Sequence, residues 1–151
     1  MLDPEIRLIL RTLQSNPALT VPELADETGI SVGKVTRRIE KLTEDGILQG
    51  QTVIVDWTKL GFNIQVSLRV TLDKTIARAF DEFLAAARLV PEVLAIQTFL
   101  GRVDVRLSLI ARDLPHYQGI YRDQILTLPH IADIEALMTV ASVKSDKELP
   151  L

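Results

Sequence analysis

The sequence predicts an α+β chain: an N-terminal winged helix-turn-helix followed by a ferredoxin-like βαββαβ domain. Two observations predict it. Up to about residue 46, apolar residues recur at helical spacing in three runs, the last two joined by a short turn containing Gly29. From Phe62 the period becomes alternating, and two strand-helix-strand units follow in tandem.

The first helix opens at Asp3-Pro4-Glu5, with an N-cap aspartate, proline at the first helical position and an acid in the first turn. Ile6, Ile9, Leu10 and Leu13 form its apolar face, and Ser15-Asn16-Pro17 ends it. Thr20 and Glu23 fit a capping box for a short second helix to about Thr28, which carries Leu24 and Ala25 inward. Gly29 supplies a turn that tolerates positive φ. Ser31 is placed to cap a third helix, which runs to about Asp45 and stops at Gly46. "ILQGQTVIVD" (47–56) reads as two short strands turning near Gly50, a wing, and residues 57–61 as a linker.

Ile64, Val66, Leu68, Val70 and Leu72 then alternate with polar residues, a half-buried strand. A helix carries Ile76, Ala79, Phe80, Phe83, Leu84 and Ala87 on one face and breaks at Pro91. Residues 93–100 and 103–111 read as strands joined by a tight turn at Gly101-Arg102. Asp113-Leu114-Pro115 opens a second helix bearing Tyr117, Ile120, Tyr121, Ile125 and Leu128, ended by Pro129. The last strand runs from about Asp133 to Val143. The domains expected are 1–56, the helix-turn-helix with its wing, and 62–144, the ferredoxin-like unit, joined by the linker, with a frayed tail at 145–151. Both helices of that unit should cover one face of the sheet. Leu94, Ile96, Ile110 and Leu137 would leave the other face too apolar for water, which predicts homodimerisation across it.

The 151 residues, 47% hydrophobic and 25% charged, suffice for a buried core. With no cysteine, disulfides and thiolate metal sites are excluded. His116 and His130 stand in unrelated contexts, so no metal site or cofactor is expected. No apolar run approaches a membrane span and no signal-peptide core opens the chain, so a cytoplasmic protein with no membrane partner is expected.

A net charge of −3 argues against indiscriminate coating of nucleic acid, so the question is where the bases sit. On the third helix Lys34, Arg37, Arg38 and Lys41 recur at helical spacing as one stripe, while Val35, Ile39 and Leu42 form an inward one. The second helix has three acids, Glu23, Asp26 and Glu27, and no base. Charge is therefore sorted by helix. Lys34 sits in a first turn, where the helix dipole disfavours a cation by about 0.3–1 kcal/mol. An external anion would explain its tolerance there, and Gly33 would let a phosphate backbone approach. A solvated basic face is the bland alternative for such a stripe. Its place on the second helix of a helix-turn-helix favours double-stranded DNA, with Lys34, Thr36 and Arg37 at the groove edge, Arg38 and Lys41 on phosphates, and Ser31 and Gly33 completing the DNA-binding set. The same stretch fails as a nucleotide-binding loop, because Gly29 and Gly33 are one residue too close and Val35 follows Lys34 where a magnesium ligand belongs.

"LDPEIRLILRTLQSN", "ELADETGISVGKVTRRIEKLTEDGILQGQTVIVD", "GRVD" and "LTLPHIADIEALMTVASVK" together resemble the Lrp/AsnC (feast/famine) family of transcription regulators over nearly the whole chain. The resemblance implies a sensor domain that dimerises, often stacks dimers into octamers, and binds amino acids or related small molecules between dimers. Its Gly-x-x-Asp turn maps onto Gly101 and Asp104, with Leu100, Val103 and Thr139 as wall residues. Many members carry an acid and then an aromatic after the glycine. Here Arg102 and Val103 stand there, so Arg102 either favours an acidic ligand or pairs with Asp104. For Asp104 the plain alternative is a strand residue paired with Arg106 or Arg69. Two rivals remain: an enzyme subunit resembling siroheme decarboxylase, which shares this two-part architecture, and a ligand-sensing module without DNA binding. No nucleophile-base spacing supports catalysis.

Overall fold

The computed structural model describes residues 3–145 and 148–151, which divide into two compact units, 1–54 with 144–151 and 55–143. The first unit holds α1 (Pro4–Ser15), α2 (Val21–Thr28) and α3 (Val32–Glu44). Asp3 caps α1 by accepting the Glu5 N–H at 2.8 Å. The capping box of α2 is formed, with the Thr20 N–H donating to Glu23 Oε2 at 2.7 Å and the Glu23 N–H to Thr20 Oγ1 at 3.5 Å. Gly29 closes α2 at φ +68°, a left-handed conformation that glycine adopts without Cβ strain. Ile9, Leu24, Ala25 and Val35 form the core, bordered by Leu13, Val21, Ile30 and Ile39.

Two expectations for this unit need correction. Residues 47–56 form no strand pair. The Ile47 and Leu48 N–H groups both donate to the Leu42 carbonyl, satisfying the end of α3 instead of a ladder, and Val53 and Ile54 are 86% and 79% exposed. A two-stranded ribbon with no face to bury is marginal in water, so the wing stays an extended segment. The tail differs too. Asp146 and Lys147 lie outside the described residues, but 148–151 do not fray: the Leu149 N–H donates to Gln14 Oε1 at 2.7 Å, and Arg11 Nε donates to the Leu151 carbonyl at 3.0 Å.

The second unit begins with a 3₁₀ turn, Trp57–Leu60, followed by β1 (Ile64–Leu72), α4 (Ala79–Ala87), β2 (Val93–Thr98), β3 (Val105–Ala111), α5 (Leu114–Ile120, continued by a π-helical turn over Tyr121–Ile125) and β4 (Ile131–Met138). The strands form one antiparallel sheet ordered β2-β3-β1-β4, the ferredoxin-like arrangement. The alternate residues Val66, Leu68 and Val70 of β1 and Val105, Leu107 and Leu109 of β3 are fully buried and pack in one cluster with Phe83, Ala87, Tyr117, Ile120 and Ile125 from the helices.

The opposite face is less apolar than expected. Ser67, Arg69, Arg106 and Ser108 occupy its two central strands, and Arg69 pairs with Glu135 at 3.6 Å. Ile96 belongs to the helix side. A bulge between Val93 and Ala95 sets Ile96 opposite buried Leu107 and leaves Leu94 as the extra residue, 57% exposed. On the helix side, α4 begins only at Ala79, which leaves Ile76 outside it, and Ile76 and Phe80, 40% and 39% exposed, are not part of the core cluster.

Candidate functional site

The helical period of α3 decides which side chains it offers. Val35 and Leu42 are buried and Ile39 packs against the core, fixing the helix about its axis. Ser31 occupies the N-cap position with no side-chain cap bond, and Ser31, Val32 and Gly33 at the start of α3 are exposed. The stripe of four bases is split by the fold. Lys34 Nζ lies 2.5 Å from Glu5 Oε1, and Arg38 lies 2.5 Å from Asp3 Oδ2 and 3.3 Å from Glu5 Oε2. Both carboxylates belong to the opening of α1. The hydrogen bond from Lys34, opposed by desolvation and assisted by the weaker effect of Arg38, holds the Glu5 carboxyl below the usual carboxylate range.

The anion that makes Lys34 tolerable in a first turn is therefore internal, a correction to the expectation of an external one. Lys41 pairs with Asp45 one turn later at 2.9 Å, which raises its pKa. Thr36 donates its hydroxyl to the Val32 carbonyl at 2.9 Å. Arg37 is the exception: it is exposed, and its Nε reaches only the Gly33 carbonyl of its own helix at 3.2 Å. Among the described residues, Arg37 is the base of this helix without an ion pair.

In the second unit the loop between β2 and β3 carries the other predicted residues. Leu100, Gly101 and Arg102 are exposed, Val103 is half-buried, and Asp104 is buried at 8% exposure. Asp104 fixes this loop to β1. Its N–H donates to the Val70 carbonyl at 3.0 Å, its Oδ2 accepts the Leu72 N–H at 2.9 Å, and its Oδ1 lies 3.4 Å from Lys74 Nζ. Thr71 adds a bond to the Arg102 carbonyl at 3.2 Å. The expected partners of Asp104 are thus replaced: Arg69 pairs with Glu135, Arg106 bonds to Gln97, and Arg102 forms no ion pair among the described residues. Beside Asp104, a cleft of about 280 Å³ is lined by Lys74, Ile76 and Phe80.

Thr139 does not join this group within the chain. Its N–H bonds to the Gln65 carbonyl, whereas the loop adjoins Val70 to Leu72. At about 3.3 Å per strand residue, the length of β1 between these points exceeds about 15 Å.

Sequence reasoning missed Asp3, Glu5, Lys74, Ile76 and Phe80. Asp3 and Glu5 read as helix-start residues, which they are, and nothing local signals their second role. Lys74 lies between a strand and a helix, where its position gives no periodicity to read.

Residues 2–49 match a family described as winged helix-turn-helix DNA-binding, and residues 65–149 match the Lrp/AsnC ligand binding domain. The chain is 29% identical over 150 residues to the HTH-type transcriptional regulator Zrp of Zymomonas mobilis, covering 99% of this chain and 97% of that one. It is 29% identical over 143 residues to the proline dehydrogenase transcriptional activator of Rhodobacter capsulatus, covering 95% and 93%. A transcriptional regulator of Neisseria meningitidis, solved in complex with L-methionine, superposes with a TM-score of 0.91 at 26% identity, covering 99% and 97%. No helix among the described residues is long and apolar enough to cross a membrane.

Proposed function

The chain belongs to the Lrp/AsnC family of transcriptional regulators, and from that membership we propose that it binds double-stranded DNA as a homodimer through α3 and senses a small metabolite through its ferredoxin-like unit. The observation that carries the DNA reading is the exposed Arg37 on a helix whose opposite side is locked by Val35 and Leu42. Arg37 reaches the groove or its edge. Ser31, Gly33 and Thr36 form the close-approach surface around the first amides, and Lys41 meets phosphate in competition with Asp45. Lys34 and Arg38 brace α3 against α1 and contribute to the positive potential more than to direct contacts. Two such helices would meet half-sites about one helical turn apart.

The effector is an amino acid or related metabolite, a reading supported by the relative crystallised with L-methionine and by the one named for proline dehydrogenase. It sits at the 100–104 turn. Arg102, without an ion pair among the described residues, takes its carboxylate, while Asp104 holds the turn in shape and Leu100 and Val103 supply apolar wall. A contribution from Thr139 would come from another chain, in keeping with a site completed by dimers assembling into an octamer. Effector binding then shifts the assembly equilibrium and with it the spacing of the DNA-reading helices. The bare sheet face, through Leu94 and Leu137 with its polar centre, is the proposed dimer surface.

The test selects a duplex from a randomised library, then measures its affinity for the parent and for an Arg37→Ala, Arg38→Ala double variant by fluorescence anisotropy. Loss of binding with the parent's oligomeric mass retained is expected, and unchanged affinity would refute the assignment of α3. Light scattering across a panel of amino and keto acids tests the sensor. A change in mass or in DNA affinity with one compound is expected, and a ligand that binds but changes neither would refute coupling.

A further inference from the structure

Where β2 begins and β3 ends, Phe62, Leu94 and Ile110 wall a cleft of about 190 Å³ whose polar groups are Glu92, Arg112 and His116. It lies at the opposite end of the sheet from the 100–104 turn: Ile110 pairs with Gln65, whereas that turn adjoins Val70 to Leu72. Glu92 is anchored by its backbone, since its carbonyl accepts the Ile110 N–H at 3.1 Å beside the β2 bulge. Its carboxylate is poorly matched. Oε2 is buried without a hydrogen-bond partner, and Oε1 lies 3.9 Å from His116 Nε2, beyond hydrogen-bond reach. The ring is also held elsewhere: His116 Nδ1 accepts the Arg112 N–H at 3.1 Å, which fixes Nε2 at that distance from the carboxylate. Arg112, which lines the cleft, has no ion pair among the described residues.

A buried carboxylate oxygen left unpaired is expensive, and the group that resolves it carries charge and several donors in a small volume. A primary ammonium has both. We propose that this cleft binds a small aliphatic ammonium ligand, with the ammonium on Glu92 and the alkyl chain against Phe62, Leu94 and Ile110. The volume corresponds to about six waters, which limits the ligand to a short chain. A simple amine satisfies these groups, and an α-amino acid would in addition place its carboxylate on Arg112.

Isothermal titration of the full chain with n-butylammonium, L-norvaline and butyrate separates the cases. Butylammonium should bind in the weak range of so small a ligand, and butyrate should not. Glu92→Gln should weaken butylammonium at least about tenfold, the loss of one charge-assisted hydrogen bond. Norvaline binding that Arg112→Ala weakens while butylammonium binding persists identifies the amino-acid form, and butylammonium binding alone identifies a simple amine. Leu94→Trp, at a cleft wall that also borders the proposed dimer surface, should fill the cleft and abolish binding, with light scattering reporting its oligomeric mass beside the parent's, and it serves should Glu92→Gln fail to fold. No binding of either amine, or binding indifferent to both Glu92→Gln and Leu94→Trp, overturns the proposal. These variants lie away from the 100–104 turn, so their failure leaves the effector reading standing.

Discussion

Replacing Arg37 and Arg38 separately should give two different phenotypes, although the sequence places both on one basic stripe. Arg38 is held by Asp3 at 2.5 Å and Glu5 at 3.3 Å, whereas Arg37 has only its own helix at Gly33. A phosphate contact contributes about 0.9 to the slope of log affinity against log salt, so Arg37→Ala in both chains of a dimer should flatten that slope by about 1.8. Over the fourfold salt step from about 50 to about 200 mM, the parent-to-variant affinity ratio should then shrink by about twelvefold. Arg38→Ala should leave the slope within error and lower the unfolding temperature, because it removes a tie between α1 and α3. The assay is fluorescence anisotropy on a selected duplex across that salt series, with thermal unfolding of each variant. If Arg38→Ala flattens the slope as much as Arg37→Ala, phosphate displaces the α1 carboxylates and this division of labour is wrong.

Glu5→Gln should make stability less sensitive to acid: the folded Glu5 carboxyl is held below its usual range, so its contribution is present at neutral pH and lost as pH falls through the folded value. Urea midpoints of parent and variant should therefore converge below about pH 4. Asp104→Ala should destabilise by about 1–3 kcal/mol, because it strands the buried Leu72 N–H, and Asp104→Asn, which keeps an acceptor, should recover much of it in denaturant unfolding. Phe83→Ala, at a fully buried site in the sheet-helix core, should cost about 3–5 kcal/mol by the same measurement.

Much of the fold is legible because its signals are local. Asp3, Thr20 with Glu23, and Asp113 announce helix starts by hydrogen bonds that span two or three residues, and the structure forms each of them. The alternation of Val66, Leu68 and Val70 selects the buried face of β1 without reference to any partner. Where a reading failed, the deciding contact was distant or missing. The apolar run Val53-Ile54-Val55 after Gly50 reads as a wing strand, yet among the described residues no neighbouring strand pairs with it. Ile96 and Leu94 share a parity, and only the bulge against β3 sends them to different faces.

By itself, then, the sequence determined the order and type of the helices and of the four sheet strands, the side of α3 that turns inward, and a surplus of bases on that helix. Side-chain spacing along one element settles these, since helical and strand periods need no tertiary partner. Tertiary structure decided what each charge does. Glu5 reaches Lys34 across 29 positions and Asp3 reaches Arg38 across 35, leaving Arg37 as the outward base. It likewise tied Asp104 to Leu72 and Lys74 instead of its expected arginines, and left Glu92 facing a histidine beyond hydrogen-bond reach. An ion pair exists only where packing brings two side chains within a few ångströms, and spacing along the chain does not encode that distance.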